Sequence, residues 1–302
     1  MKLPMQPESL GVPPSPGNGE ERSDHRAKRV GSRPKSQGWV FHRLLLQIGV
    51  AAAILAGWQF VPEIHWVSGH YRFSNKFFIS SPTNVAKSIG ELFTGHNATN
   101  ITIWPYLQVT VVATLEGVVI GLLLGALAGL IFSNSLRLSD VIRPFIVMAN
   151  TVPRVAIIPI IVVIVGPTAS ASVVSVVTVV FFLAFFNAFE GGRSVSPQIL
   201  ENARLLGGSP FAIMRLVRLP RVIAWTFDVI PNAISFGLVV AVTTEVIAGV
   251  RGVGQILLAA TLNLDASLTF ALVVILSVIG LLLDGAARKL RDRVLRWEVR
   301  EQ

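Results

Sequence analysis

Apolar residues in this chain are concentrated in six runs, 44–61, 106–132, 144–165, 169–190, 222–248 and 266–285. A helix rises ~1.5 Å per residue and a bilayer's hydrocarbon core is ~30 Å thick, so about 20 apolar residues are enough to cross it. In lipid a spanning segment must satisfy its own backbone hydrogen bonds, which leaves helices as the structure for runs of this length. Charged residues make up 14% of the chain and hydrophobic ones 52%, whereas soluble domains carry roughly a quarter charged residues. The runs therefore predict an all-α integral membrane protein with six transmembrane helices.

The predicted domain is 41–302, preceded by a tail over 1–40 that is rich in Pro, Gly, Ser and charge. Such a composition buries too little apolar surface to order, and a disordered cytoplasmic tail is expected. A cleaved signal peptide is the rival reading of 44–61, but its charged leader would be far too long and no clear A-x-A site follows. A short helix is expected after Ser81-Pro82, since proline suits a first helical turn. Gly166-Pro167 separates the third run from the fourth.

Lys and Arg set the orientation. One side of six spans holds 21 of them, in the N-terminal tail, at Arg137 and Arg143, in the 191–221 loop and in the C-terminal tail. The other side holds 4, Arg72, Lys76, Lys87 and Arg251. By the positive-inside rule both termini lie in the cytoplasm. The net charge of +9 invites a nucleic-acid partner, but basic residues at span ends and in short loops are topology signals instead. With no cysteine, the chain has no disulfide, no thiolate metal site and no cysteine nucleophile. All five histidines lie outside the runs, and neither H-E-x-x-H nor G-x-S-x-G occurs. A membrane-embedded enzyme therefore lacks its chemistry, and no catalytic or metal-binding residue is predicted.

Two features sit inside the runs. Gly117, Gly121, Gly125 and Gly129 share one helical face, which lets another helix approach closely, either as intrachain packing or as part of a moving core. Glu116, Asp228 and Glu245 are acids in apolar surroundings. A charge at mid-bilayer costs roughly 2.5–3.5 kcal/mol on insertion scales, so such groups face protein or water. They are candidates for a path or gate, or else for pairing with polar groups on neighbouring helices. Asp228 precedes Pro231, which frees a carbonyl and can kink a helix, and Glu245 precedes Gly249-Val250-Arg251-Gly252 near the external face. Three carboxylates along a path would favour a neutral or cationic solute such as a nitrogen heterocycle.

The 191–221 loop is longer than a connector needs. Ser196-Pro197 and Ser209-Pro210 each pair a capping residue with a proline at the first helical position. Gly207-Gly208 stops the first helix, and Pro220 is expected to end the second near Leu219. Leu200, Ala203, Phe211 and Met214 interleave with Glu201, Arg204, Arg215 and Arg218. That mixture predicts a docking surface of apolar anchors with a charged rim, and the tether to membrane helices at both ends speaks against DNA.

Glu201-Asn202-Ala203, Gly207 and Leu219-Pro220 resemble the E-A-A-x-x-x-G…L-P loop of ABC importer permeases, with Asn202 in place of the usual second alanine. The segments 150–166, 185–207 and 243–257 and the closing LRW are similar to the nitrate/sulfonate/taurine-type permeases, over roughly 80–297. One departure is the absence of the aromatic pair often found before Gly166 in that group. The resemblance implies the type I importer fold with a cytoplasmic helix-turn-helix coupling loop, residing in a bacterial inner membrane. It implies a homodimer of permeases, two cytoplasmic ABC ATPases, and a periplasmic or lipid-anchored binding protein that delivers a small anion or heterocycle. Glu201, Asn202, Ala203, Gly207, Phe211, Arg215, Leu219 and Pro220 would form the ATPase-coupling site. The chain has no G-x-x-x-x-G-K-S/T, so ATP and Mg would belong to the partner. An ion-coupled secondary carrier is the alternative, and it leaves the loop unexplained.

Overall fold

The computed structural model describes residues 37–60, 80–96, 100–134 and 136–295, and every regular element among them is helical. In chain order these are α1 (Gln37–Phe60), α2 (Pro82–Thr94), α3 (Trp104–Ser133), α4 (Leu136–Thr151), α5 (Ile158–Val165) and α6 (Ala169–Arg193). Then come α7 (Pro197–Leu205), α8 (Pro210–Ile213), α9 (Leu219–Ala248), α10 (Val253–Leu262) and α11 (Ala266–Val294). The chain divides into two units, Met1–Ala51, described only for the opening of α1, and Ala52–Gln302. The expected tail lies outside the described residues up to position 36, and residues 37–40 already belong to α1.

Four helices among the described residues are long and apolar enough to cross a membrane: α3, α6, the run Pro210–Ala248 and α11. The third apolar run is not one continuous span, as expected from 144–165. Arg143–Ala149 and Arg154–Val165 meet at 78° and count as a fifth span only if taken together. Pro153 is the cause: it lacks an N–H, restricts Val152 to extended conformations, and is followed by a 3₁₀ turn, Arg154–Ile157. The first run falls in α1, a helix of 24 residues whose apolar stretch among the described residues is Leu45–Phe60. The helix α10 was not foreseen at all.

The glycine face of α3 packs against α6. A Cβ on Gly125 would stand 2.5 Å from the Phe181 carbonyl oxygen and 2.7 Å from the Ala184 Cβ, and Gly117, Gly121 and Gly129 are equally close to that helix. Close backbone approach supplies the van der Waals contact that lipid cannot displace, so the face serves packing within the chain. Val118, Val176, Val180, Ala233 and Val240 extend this core onto α9. A second core joins α2, the start of α3, α10 and α11 through Leu92, Ile103, Val253 and Leu272. Ser81 caps α2 with Pro82 in its first turn, as Ser81-Pro82 suggested.

Candidate functional site

The 191–221 loop grows from the end of α6. Pro197 occupies the first turn of α7, with Ser196 at the cap position in extended conformation but making no side-chain capping bond. Gly207 follows with φ 83°, in the left-handed region, and the Gly208 N–H donates to the Ala203 carbonyl at 2.9 Å. Ser209 does cap the next turn, accepting from the Ala212 N–H at 3.2 Å.

The second loop helix is not the separate unit expected. After α8 the chain makes a π turn, Met214–Arg218, and runs directly into α9, so Pro220 does not end the helix. In the widened turn the Leu219 N–H bonds the Met214 carbonyl, five residues back. The missing Pro220 N–H is accommodated there as a first-turn proline of α9.

The exposed face also differs from the expected mixture. Leu205, Leu206, Phe211 and Leu216 project into solvent, each 65% exposed or more. Leu200, Ala203 and Met214 are half-buried, while Glu201, Asn202 and Arg215 are exposed. Arg218, expected on a charged rim, is buried, its Nη1 donating to the Ser133 carbonyl at 2.6 Å and to Asn134 Oδ1 at 3.2 Å. The carbonyls at a helix C-terminus carry partial negative charge, and Arg218 caps α3 with a full positive one. A cavity of about 600 Å³ lies beside it, lined by Arg193, Leu200, Glu201 and Arg204 among others.

The three acids part company. Glu116 is exposed on the wall of a cavity of about 430 Å³ shared with Gln108, Val173 and Arg251. Arg251, counted in sequence only as a topology charge, lies over the Tyr106 ring at 5.4 Å. Asp228 forms an ion pair with Arg291 of α11 at 3.0 Å. Glu245 is fully buried and lines no cavity described here; it accepts from Thr110 Oγ1 and from the Gly254 N–H, both at 2.9 Å. The structure thus brings none of the three together. Thr110 and Gly254 were passed over in sequence, although small residues such as Gly252 and Gly254 after a membrane acid signal a close approach. A Cβ on Gly252 would collide with the Glu245 carboxyl group.

A bundle of membrane-length helices with a cavity at each end and an exposed helical loop is an architecture that suits a solute permease. Residues 117–296 match the binding-protein-dependent transport system inner membrane component family, and the chain belongs to it. It is the permease subunit of a binding-protein-dependent ABC importer, and the ion-coupled carrier reading has no support. A probable ABC transporter permease of Haemophilus influenzae is 27% identical over 85% of this chain and 99% of its own. A putative aliphatic sulfonates transport permease, SsuC of Bacillus subtilis, is 26% identical over 90% of this chain and 93% of its own. The taurine transport permease TauC of Escherichia coli is 22% identical over 89% and 96%. Among solved structures, a chain of the MetNI methionine ABC transporter in inward-facing conformations superposes with TM-score 0.52 at 20% identity, covering 69% of this chain and 98% of that one. At that identity the likeness concerns fold alone, the type I importer permease.

Proposed function

We propose that two copies of this permease form the path for a small sulfonate-class anion. Two cytoplasmic ABC ATPases drive it, and a periplasmic or lipid-anchored binding protein loads it. The observation that carries the reading is the 191–221 loop, whose apolar side chains Leu205, Leu206, Phe211 and Leu216 stand exposed at the end of a membrane bundle. Exposed large apolar groups beside charged ones fit a protein partner. Glu201, Asn202, Ala203, Gly207, Phe211, Arg215, Leu219 and Pro220 belong to the segment seated in the ATPase, which binds ATP and Mg. The excess of 21 Lys and Arg over 4 supports cytoplasmic termini and a cytoplasmic loop.

The charge argument for a neutral or cationic solute loses two of its three acids, because Glu245 is sealed within the protein and Asp228 is paired with Arg291. Arg251 on the same cavity as Glu116 favours a solute with an anionic group. The aliphatic sulfonates permease and the taurine permease among its relatives agree with that chemistry.

Affinity purification of the tagged chain co-expressed with its ATPase tests the assembly. Co-elution at two permeases to two ATPases is expected; a permease that elutes alone sinks the coupling. In proteoliposomes supplied with the binding protein, ATP-dependent uptake of taurine or an alkanesulfonate is expected. Uptake of a pyrimidine with no sulfonate uptake would reassign the solute.

A further inference from the structure

At the end of the bundle opposite the loop, one buried carboxylate joins three helices. Glu245, near the end of α9, has no exposed surface. Its Oε2 accepts from the Gly254 N–H of α10 and from Thr110 Oγ1 of α3, each at 2.9 Å. Thr110 Oγ1 in turn accepts from the Val253 N–H at 2.9 Å. The first N–H groups of a helix have no partner within it, and here two of those of α10 are satisfied by side chains from two other helices. The fit is close, for a Cβ on Gly254 would lie 2.5 Å from the Val242 carbonyl oxygen and 2.7 Å from the Glu245 Cβ. A buried carboxylate is costly unless its bonds compensate, so space-filling does not explain an acid here.

The other end of α3 is fastened as well, by Arg218 on the Ser133 carbonyl. Thr110 and Ser133 are about 35 Å apart along α3 at helical rise. Between them the glycine face locks α3 onto α6, the helix from which the loop departs. That packing is the contact through which a displacement at the loop would reach α3.

We propose that Glu245 is a positioning residue that fastens α10 to α3 and α9, so that α10 moves with α3 when the loop is displaced. This inference rests on the proposed coupling of the loop to an ATPase. It makes the Glu245–Thr110–Gly254 knot part of the mechanics of transport and removes Glu245 from contact with solute.

Three variants test it in the assembled transporter, read as solute moved per ATP hydrolysed. Glu245→Gln retains an oxygen acceptor for both donors and is expected to stay within about threefold of the parent. Thr110→Val and Glu245→Leu remove a partner of the buried network, and a fall of about tenfold or more is expected, with ATPase association unchanged. Hydrogen exchange at the Val253 and Gly254 amides of the permease alone reads the knot without the ATPase. About tenfold faster exchange is expected in Thr110→Val. Normal solute per ATP in Thr110→Val overturns the proposal, as does a Gln variant as defective as Leu. Parallel loss of assembly and transport replaces it with a folding role. Failure of the unmodified chain to bind an ATPase, with the exchange result intact, defeats the proposed coupling and leaves the knot.

Discussion

Gly125 and Gly207 are glycines for opposite reasons, and substitution separates them. Gly125 has helical neighbours pressed against it, so Gly125→Val overpacks a contact made partly by backbone, which cannot retreat. A loss of about 1–3 kcal/mol is expected, read as a lower thermal unfolding midpoint in detergent. Gly90→Ala, where nothing lies within 4 Å, serves as the control and should hold or slightly raise that midpoint. Gly207 has open space but φ 83°. Gly207→Val there incurs a left-handed cost of roughly 1–2 kcal/mol, while Asn tolerates that region better. Gly207→Val is expected to impair ATPase coupling with membrane insertion intact, and Gly207→Asn to impair it less, measured as transport against the amount of inserted protein. At this scale the sequence marks Glu116, Asp228 and Glu245 alike as acids among apolar residues. Their different surroundings depend on how each helix is rotated about its axis and on which neighbour meets it.

Loop punctuation was legible element by element: proline after serine at two starts, glycine at one stop. What Pro220 does was not, because a π turn is a change of hydrogen-bond register with no composition of its own. That register carries Arg218 inward to the end of α3 and leaves Phe211 facing solvent. The two residues should then behave differently. Phe211→Ala is expected to weaken ATPase association about tenfold or more, as loss of an apolar anchor does at ~1.4 kcal/mol per decade, without lowering the unfolding midpoint. Arg218→Ala is expected to lower the midpoint, since bonds to a charged group contribute about 1.5–3 kcal/mol. Titration of purified ATPase against each variant, alongside thermal unfolding, distinguishes them; equal association by Phe211→Ala and the parent would move the docking surface elsewhere.

For the whole molecule the firmest expectation is sidedness. The chain has no cysteine, so single replacements report cleanly. Gln198, exposed in α7, and Asn263, exposed after α10, lie at opposite ends of the proposed topology. Gln198→Cys should react with an impermeant thiol reagent only from the cytoplasmic side, and Asn263→Cys only from outside. Reaction of Gln198→Cys only from outside and of Asn263→Cys only from the cytoplasm would reverse the reading of the charge asymmetry, and reaction of both from one side would mean that α9 does not cross.

By itself the sequence determined that this chain is a helical membrane protein with a long, helix-bearing loop between two spans. Both follow from local quantities: apolar run length against bilayer thickness, and cap, proline and glycine spacing. Only the tertiary structure decided that the third run breaks at Pro153, that the glycine face of α3 serves α6, and that Arg218 and Glu245 clamp the two ends of one helix. Those outcomes depend on contacts between residues far apart in the chain, 135 positions for Thr110 and Glu245. A buried hydrogen bond across that separation exists only once three helices have packed, and no local pattern encodes it.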